Sequence, residues 1–129
     1  MVGEIELIPI LNLAYIGDSV YEIMVREWLL KMPNCPVDKL SKMGHSLSCA
    51  RFQSICYFKI QEFLSQKEMA ILKRGRNANP SSRAKNASIA EYRNATGLEA
   101  LFGYLHLKKE NKRLQEIFEL CIKNKLQKE

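Results

Sequence analysis

Apolar residues recur along this chain three, four and seven positions apart, the spacing that places side chains on one face of an α-helix. The pattern predicts helices over about 10–31, from 37, over 48–63, from 65 to near 75, over 88–107 and over 111–127. Alternating strand patterns are nearly absent. We therefore expect an all-α fold, and the 129 residues suit one domain, 1–129, better than two.

Local signals set several of the helix ends. Pro33 and Pro36 lack the backbone N–H that a helix requires, so the first helix should end before them. Ser65 with Glu68, and Ser88 with Glu91, have the spacing of a capping box, in which two side chains bind exposed N–H groups reciprocally. Each box predicts a helix start. In the helix over 48–63, the apolar side is expected to contain Phe52, Ile55, Cys56 and Ile60.

The first helix carries a carboxylate within its apolar stripe. A helical projection places five side chains on that stripe: Leu11, Ala14, Asp18, Val25 and Leu29. Asp18 stands where an apolar residue is expected, and an ionised carboxylate removed from water is costly unless it is paired or holds a metal. We therefore single out Asp18 as a candidate functional residue.

Glu99 has a similar character, at the edge of an apolar helix face. That face contains Leu98, Leu101, Phe102 and Leu105. If the helices of Asp18 and Glu99 pack together, two adjacent carboxylates cannot both stay charged without a cation. Mg²⁺ prefers oxygen ligands and is commonly held by one or two carboxylates with waters and substrate phosphates. Periodicity alone leaves the alternative of two unrelated acids, each paired with Lys or Arg.

Charge points to one basic segment. Twenty Lys and Arg against fourteen Asp and Glu give a formal charge of +6, which favours a polyanionic partner without establishing one. Gly75, Pro80 and many Asn and Ser residues predict a loop over about 73–88. Its basic residues are Lys73, Arg74, Arg76, Arg83 and Lys85. The loop is either an ordinary solvated surface or a cationic arm that contacts nucleic-acid phosphates.

The cysteines and the first residues bear on the compartment. Cys35, Cys49, Cys56 and Cys121 form no Cys-x-x-Cys pair, and the first ten residues carry acids rather than the basic region of a secretion signal. We expect reduced thiols and a cytoplasmic location. No apolar run approaches the length that spans a bilayer, so no membrane association is expected.

The segments around the two acids resemble the ribonuclease III family. LAYIGDSV, which contains Asp18, is similar to the family's apolar signature helix, and TGLEALFGYLHL, which contains Glu99, is similar to its second carboxylate helix. LAYIGDSVYE, HSLSCA, RGRNA and YRNATGLEALFGYL most resemble the compact bacterial branch, Mini-ribonuclease III, which lacks a double-stranded-RNA-binding domain. The resemblance spans nearly the whole chain and implies the helical fold of the family's endonuclease domain.

Carried over position by position, the resemblance implies that Asp18 and Glu99 are catalytic, metal-binding carboxylates. Two further acids of the larger family members are replaced here by Ala14 and Thr96, which leaves the number of metal ions open. Glu22 and Asp38 have weaker claims on the site. The implied reaction is the hydrolysis of double-stranded RNA with Mg²⁺, or Mn²⁺ as its substitute, to products with a 5′-phosphate and a 3′-hydroxyl.

The resemblance also implies a homodimer with one site for each RNA strand. Apolar residues beyond the stripe of the first helix are available for such a contact or for burial within the monomer: Ile10, Leu13, Tyr21, Met24 and Trp28. Lys73, Arg74, Arg76, Arg83 and Lys85 are the expected RNA contacts. His45 is another, with a structural role at a helix start as an equal alternative.

The implied substrate is precursor 23S ribosomal RNA, with or without help from a ribosomal protein. Two other functional classes remain open at this point. One is a non-catalytic helical RNA-binding or ribosome-assembly factor with the same fold. The other is a helical protein-interaction domain whose basic charge is coincidental.

Overall fold

The computed structural model describes residues 2–78 and 88–123, and over those residues its regular elements are all helical. A 3-10 helix, Val2–Leu7, precedes the first α-helix, and a second, Gln61–Phe63, follows the third. The α-helices are α1 (Ile10–Leu29), α2 (Val37–Ser48), α3 (Ala50–Lys59), α4 (Gln66–Asn77), α5 (Ile89–Leu107) and α6 (Asn111–Ile122). The predicted all-α fold is confirmed, and no helix in this part of the chain is long and apolar enough to cross a membrane.

Helix α5 is the central element, in contact with α1, α3, α4 and α6. From Asn94 to Leu105 every residue except Glu99 is buried. A helix that is apolar around its whole circumference is stable only when other helices cover every side. The other helices therefore form a shell around α5, and Glu99 is the one break in its buried surface.

Two glycine contacts let helix backbones approach α5 closely. A Cβ atom on Gly17 of α1 would lie 1.7 Å from the carbonyl oxygen of Glu99, and one on Gly103 would lie 2.0 Å from the carbonyl oxygen of Leu13. On the α4 side, a Cβ atom on Gly75 would lie 2.8 Å from the Cα atom of Gly97. No side chain fits at either crossing, so main-chain contact sets the spacing of these helices.

The role of Gly75 corrects the predicted basic loop. The sequence indicated that α4 ends near Gly75, but the helix continues to Asn77, because this glycine packs against α5 rather than ending the helix. Lys73, Arg74 and Arg76 consequently lie on α4 and not in a loop. Arg83 and Lys85 lie outside the described residues.

Both predicted capping boxes are present. The Ser65 hydroxyl accepts a hydrogen bond from the Glu68 N–H at 3.1 Å, and the Glu68 carboxylate accepts one from the Ser65 N–H at 2.9 Å. Ser88 and Glu91 make the equivalent pair of contacts at the start of α5. These contacts satisfy N–H groups that lack an intrahelical partner, which explains why both helix starts could be predicted from four residues.

The predicted apolar side of α3 is wrong in one member. Ile55 is 53% exposed, whereas Phe52, Cys56 and Ile60 are buried as expected. The buried arc of α3 is displaced from the predicted one and includes Gln53. The four cysteines are free thiols, in agreement with the prediction.

A buried ion pair fastens α4 to α6. The guanidinium of Arg113 donates two hydrogen bonds of 2.8 Å to the carboxylate of Glu68 and a third, of 2.7 Å, to the carbonyl oxygen of Phe63. Such bidentate pairs are directional as well as strong. The hydrogen bonds from Arg113 hold the pKa of Glu68 below its ordinary value. The same carboxylate also caps α4. One acidic side chain therefore fixes the start of α4 and attaches α6 to it.

We predict that Gly17→Ala unfolds or strongly destabilises the protein, because the added methyl group would have to displace the backbone of α5. The expected loss is about 3 kcal/mol or more, the upper range for overpacking, measured by urea unfolding followed by circular dichroism. Gly44→Ala is the matched control. Its Cβ atom would meet only Leu29 Cδ1, at 3.5 Å, and helix propensity should make it up to about 1 kcal/mol more stable. Equal stability of the two variants would contradict the proposed backbone contact.

Candidate functional site

The crossing of α1 and α5 brings Asp18 and Glu99 together. Gly17 lies directly against the carbonyl of Glu99, so the next residue of α1, Asp18, reaches the Glu99 side chain. The two carboxyl groups lie within reach of each other's charge. The structure thus places the two acids beside each other, as the sequence-based hypothesis requires. Their chemical role stays a prediction.

The environment of Asp18 differs from the prediction. Asp18 is exposed, as is Leu11 of the same predicted stripe. The buried arc of α1 is rotated away from it and contains Leu13, Ala14, Gly17, Val20, Tyr21, Val25 and Leu29. Helix α5 covers most of that arc, and α2 contacts it at Tyr21, whose hydroxyl donates to the carbonyl oxygen of Leu47, and at Leu29. The prediction that Asp18 is buried in an apolar stripe was therefore wrong.

Glu99 is the less exposed member of the pair. Burial raises the pKa of Glu99 to about 8, and the negative charge of Asp18 and the hydrogen bond with it act in the same direction. Near neutral pH, Glu99 therefore favours its protonated form. A cation placed between the two groups would remove the reason for that proton, because it would compensate both negative charges.

Gln53 is a third member of the site that the sequence-based hypothesis missed. It lies on α3, is 2% exposed, and its side-chain amide acts against the rise in the pKa of Glu99 that burial causes. A signal for it exists in the sequence. Gln53 lies four residues after Cys49 and three before Cys56, so it occupies an apolar stripe in the way attributed to Asp18.

The donor set suits a weakly chelated hard cation. Within residues 2–78 and 88–123, no group of three or more His, Cys, Asp or Glu side chains forms a metal cage. An exposed carboxylate beside a half-buried one matches the usual Mg²⁺ arrangement, in which waters and substrate phosphates complete the shell. An open cleft of about 460 Å³ lies beside Asp18, and its other lining residues are Ser19, Glu22, Ile23 and Arg26.

Neither of the other candidate acids, Glu22 and Asp38, joins this pair, and the residues at positions 14 and 96 do not join it either. Glu22 forms an ion pair of 3.0 Å with Arg26, and Asp38 is exposed in the first turn of α2. Ala14 is buried, and the hydroxyl of Thr96 donates to the carbonyl oxygen of Tyr92 at 3.0 Å. The two positions that lack an acid therefore contribute no cation ligand.

The basic residues of α4 lie near its crossing with α5 at Gly75 and Gly97. The ammonium of Lys73 donates to the Tyr57 hydroxyl at 3.2 Å and stands 5.3 Å from the centre of that ring. Arg74 is exposed, and Arg76 lies against Gly97, two residues before Glu99. In the described part of the chain none of the three forms an ion pair, so their charge is available to an anion.

His45 is exposed in the last turn of α2. The alternative of a structural histidine at a helix start is therefore wrong, because the helix that contains it begins at Val37 and ends at Ser48. Its predicted contact with RNA stays a prediction.

Comparison with known proteins covers the helices that carry both acids. The family model of the ribonuclease III domain matches residues 11–110. A Mini-ribonuclease 3 of Clostridium tetani is 46% identical over 87% of this chain and 75% of its own length. A Mini-ribonuclease 3 of Enterococcus faecalis is 41% identical over 88% of this chain and 87% of its own length. The crystal structure of a Fusobacterium nucleatum protein superposes with a TM-score of 0.81 at 31% identity, over 88% of this chain and 93% of that one.

Proposed function

The chain belongs to the ribonuclease III family, in its Mini-ribonuclease 3 branch, and from this we propose that it is a divalent-metal-dependent endoribonuclease acting on double-stranded RNA. The substrate we propose is precursor 23S ribosomal RNA in the cytoplasm, with room for assistance by a ribosomal protein. The observation that carries the proposal is the pair of carboxylates, Asp18 and Glu99, at the α1–α5 crossing.

The two acids differ in how exposed they are to solvent. Asp18 faces solvent and is accessible to both cation and RNA, whereas Glu99 is half-buried. Together they would hold Mg²⁺, or Mn²⁺ in its place. When bound, the ion supplies the Lewis-acid chemistry of phosphodiester hydrolysis, in which water is activated and charge on the phosphate is neutralised.

The positive charge on α4 supports RNA binding by the catalytic domain itself. A-form RNA is recognised mainly through its shape, phosphates and 2′-hydroxyls. Lys73, Arg74 and Arg76 offer three cations on α4, which crosses α5 two residues from Glu99. The chain as a whole adds a formal charge of +6.

An exposed apolar face on α1 supports the proposed homodimer. Leu13 and Tyr21, which the sequence offered as partner surface, are buried in the monomer. Tyr15, in contrast, is 84% exposed and Ile23 is 53% exposed, on the side of α1 that carries Asp18. A two-fold contact through this face would place two equivalent sites near each other, as cleavage of both strands of a duplex requires.

Cleavage of a labelled RNA duplex tests the proposed reaction. The wild-type protein should cut with Mg²⁺ and not with EDTA. Asp18→Asn and Glu99→Gln should each lose more than about 100-fold in rate, since changes behind a metal ligand alone cost 10–100-fold. Asp38→Asn, at an exposed acid outside the pair, should retain full activity. Binding without cleavage, unchanged in Asp18→Asn, would instead make the protein a non-catalytic RNA-binding relative.

Salt dependence tests the basic surface. For a duplex bound through phosphates, the logarithm of the affinity should fall linearly with the logarithm of the salt concentration. Arg74→Gln should weaken binding and reduce the slope by about 1, measured by fluorescence anisotropy with the Asp18→Asn protein as background. Lys112→Gln, at an exposed position of α6, is the control and should change neither quantity. An affinity nearly independent of salt would reject the basic surface.

Sedimentation equilibrium tests the dimer. We expect the wild-type protein to be dimeric, and Tyr15→Ser to weaken association by about 30-fold, the loss typical of a central aromatic residue worth about 2 kcal/mol. Phe58→Ser removes an aromatic side chain that is 66% exposed on α3 and should leave association unchanged. A monomeric wild-type protein, or equal effects of the two variants, would contradict the α1 interface.

A further inference from the structure

We propose that Arg26 binds a phosphate of the RNA strand next to the one that reaches Asp18, and that Glu22 holds the Arg26 guanidinium in place for this contact. The inference rests on the proposed function, because its ligand is the RNA on which the carboxylate pair acts. It assigns to α1 a phosphate-binding site separate from the basic residues of α4. Arg26 contacts the substrate, and Glu22 is a positioning residue for Arg26.

Arg26 lies in the open cleft that begins at Asp18. The two residues are two intervals of four apart on α1, so they project from one side of the helix, about 12 Å apart along its axis. Within Ile10–Leu29 Arg26 is the only basic residue, and the other charged residues that line the cleft, Asp18 and Glu22, are acids. An RNA strand that passes Asp18 therefore meets its positive charge in this cleft at Arg26.

The ion pair with Glu22 leaves the outer edge of the guanidinium available. The Nε atom of Arg26 donates to a carboxylate oxygen of Glu22 at 3.0 Å. Among the residues that the structure describes, neither terminal nitrogen of Arg26 has a hydrogen-bond partner, and the side chain is 72% exposed. A guanidinium binds phosphate through two parallel N–H groups. Arg26 offers such a pair of donors.

Stability does not account for the contact between Glu22 and Arg26. An exposed ion pair contributes little to the free energy of unfolding, because water screens both charges and two long side chains lose freedom. The contact at Nε does restrict rotation of the guanidinium. Less side-chain freedom is then lost when Arg26 binds a phosphate, and this favours binding.

Open space borders the pair on two sides. Glu22 and Arg26 line the cleft beside Asp18, and they also line a hollow of about 350 Å³ between α1 and α2, together with Leu30 and Val37. The phosphate site is therefore part of a longer depression that passes Asp18 and Arg26. Such a shape suits an extended phosphodiester strand better than a single nucleotide.

The test compares RNA duplexes that differ by one phosphate charge. A methylphosphonate linkage, which is uncharged, is placed in turn at each position near the cleavage site, and binding is measured by fluorescence anisotropy. All proteins carry Asp18→Asn, so that the RNA stays intact. At one position the linkage should weaken binding by about 10-fold when Arg26 is present, the loss expected for one charged hydrogen-bonded contact. The same linkage should cost Arg26→Gln nothing.

Two further variants separate the site from general charge. Lys31 follows the end of α1 and lines a different hollow, with Trp28 and Phe118. Lys31→Gln should therefore keep the full 10-fold sensitivity to the modified linkage, about the loss of one charged contact. Arg26→Lys keeps the positive charge but loses the paired donors, so its sensitivity should be intermediate.

Cleavage kinetics, with Asp18 intact, provide a second readout. Arg26→Gln should raise KM by about 10-fold and leave kcat nearly unchanged, because a contact with an unreactive phosphate is equally strong in the ground state and the transition state. Glu22→Gln should also raise KM, by a smaller factor, since it releases the guanidinium. A lower KM in Glu22→Gln would show that Glu22 only repels RNA, and would overturn its positioning role.

The outcomes distinguish this inference from the proposed function. If the wild-type protein binds and cuts the duplex while Arg26→Gln behaves like Lys31→Gln, the Arg26 site alone is overturned. Equal sensitivity of Arg26→Gln and its parent to every modified linkage would have the same meaning. A wild-type protein that binds no duplex RNA would overturn both proposals.

Discussion

The contact between the backbones of α1 and α5 at Gly17 and Gly103 determines how the rest of the molecule is arranged. Because no side chain separates the helices there, the carbonyl of Glu99 lies against Gly17, and Asp18 is carried to the Glu99 side chain. The carboxylate pair is thus a direct product of main-chain packing. The meeting of the two acids follows from this one helix crossing.

Around this crossing, the buried core of the protein meets its solvent-exposed surface. Along the buried stretch of α5 only Glu99 reaches the surface, so the helix offers one polar position on an otherwise closed core. The second glycine contact, between Gly75 and Gly97, brings the basic end of α4 to the same helix. The proposed cation ligands and the basic end of α4 are therefore both positioned by a single buried element.

Much of the fold could be predicted because it depends on local interactions. The capping boxes at Ser65 and Ser88 involve residues three apart, and the buried side of α6 follows a regular helical period. The errors arise where tertiary contacts decide. Gly75 looks like a helix end until α5 is packed against it, and Asp18 looks buried until the direction of α5 is known. Gln53 was missed because its partner lies on another helix.

Because of the glycine crossing, the geometry of the site does not depend on which side chains fill the core. The spacing of Asp18 and Glu99 depends on atoms that every amino acid shares, and only the absence of a Cβ atom at Gly17 and Gly103 is required of the sequence. Elsewhere in the core, one large side chain can become smaller while a neighbour becomes larger, and the two helix axes keep their spacing. Such a protein can tolerate extensive sequence drift in its interior without losing the alignment of its reactive groups.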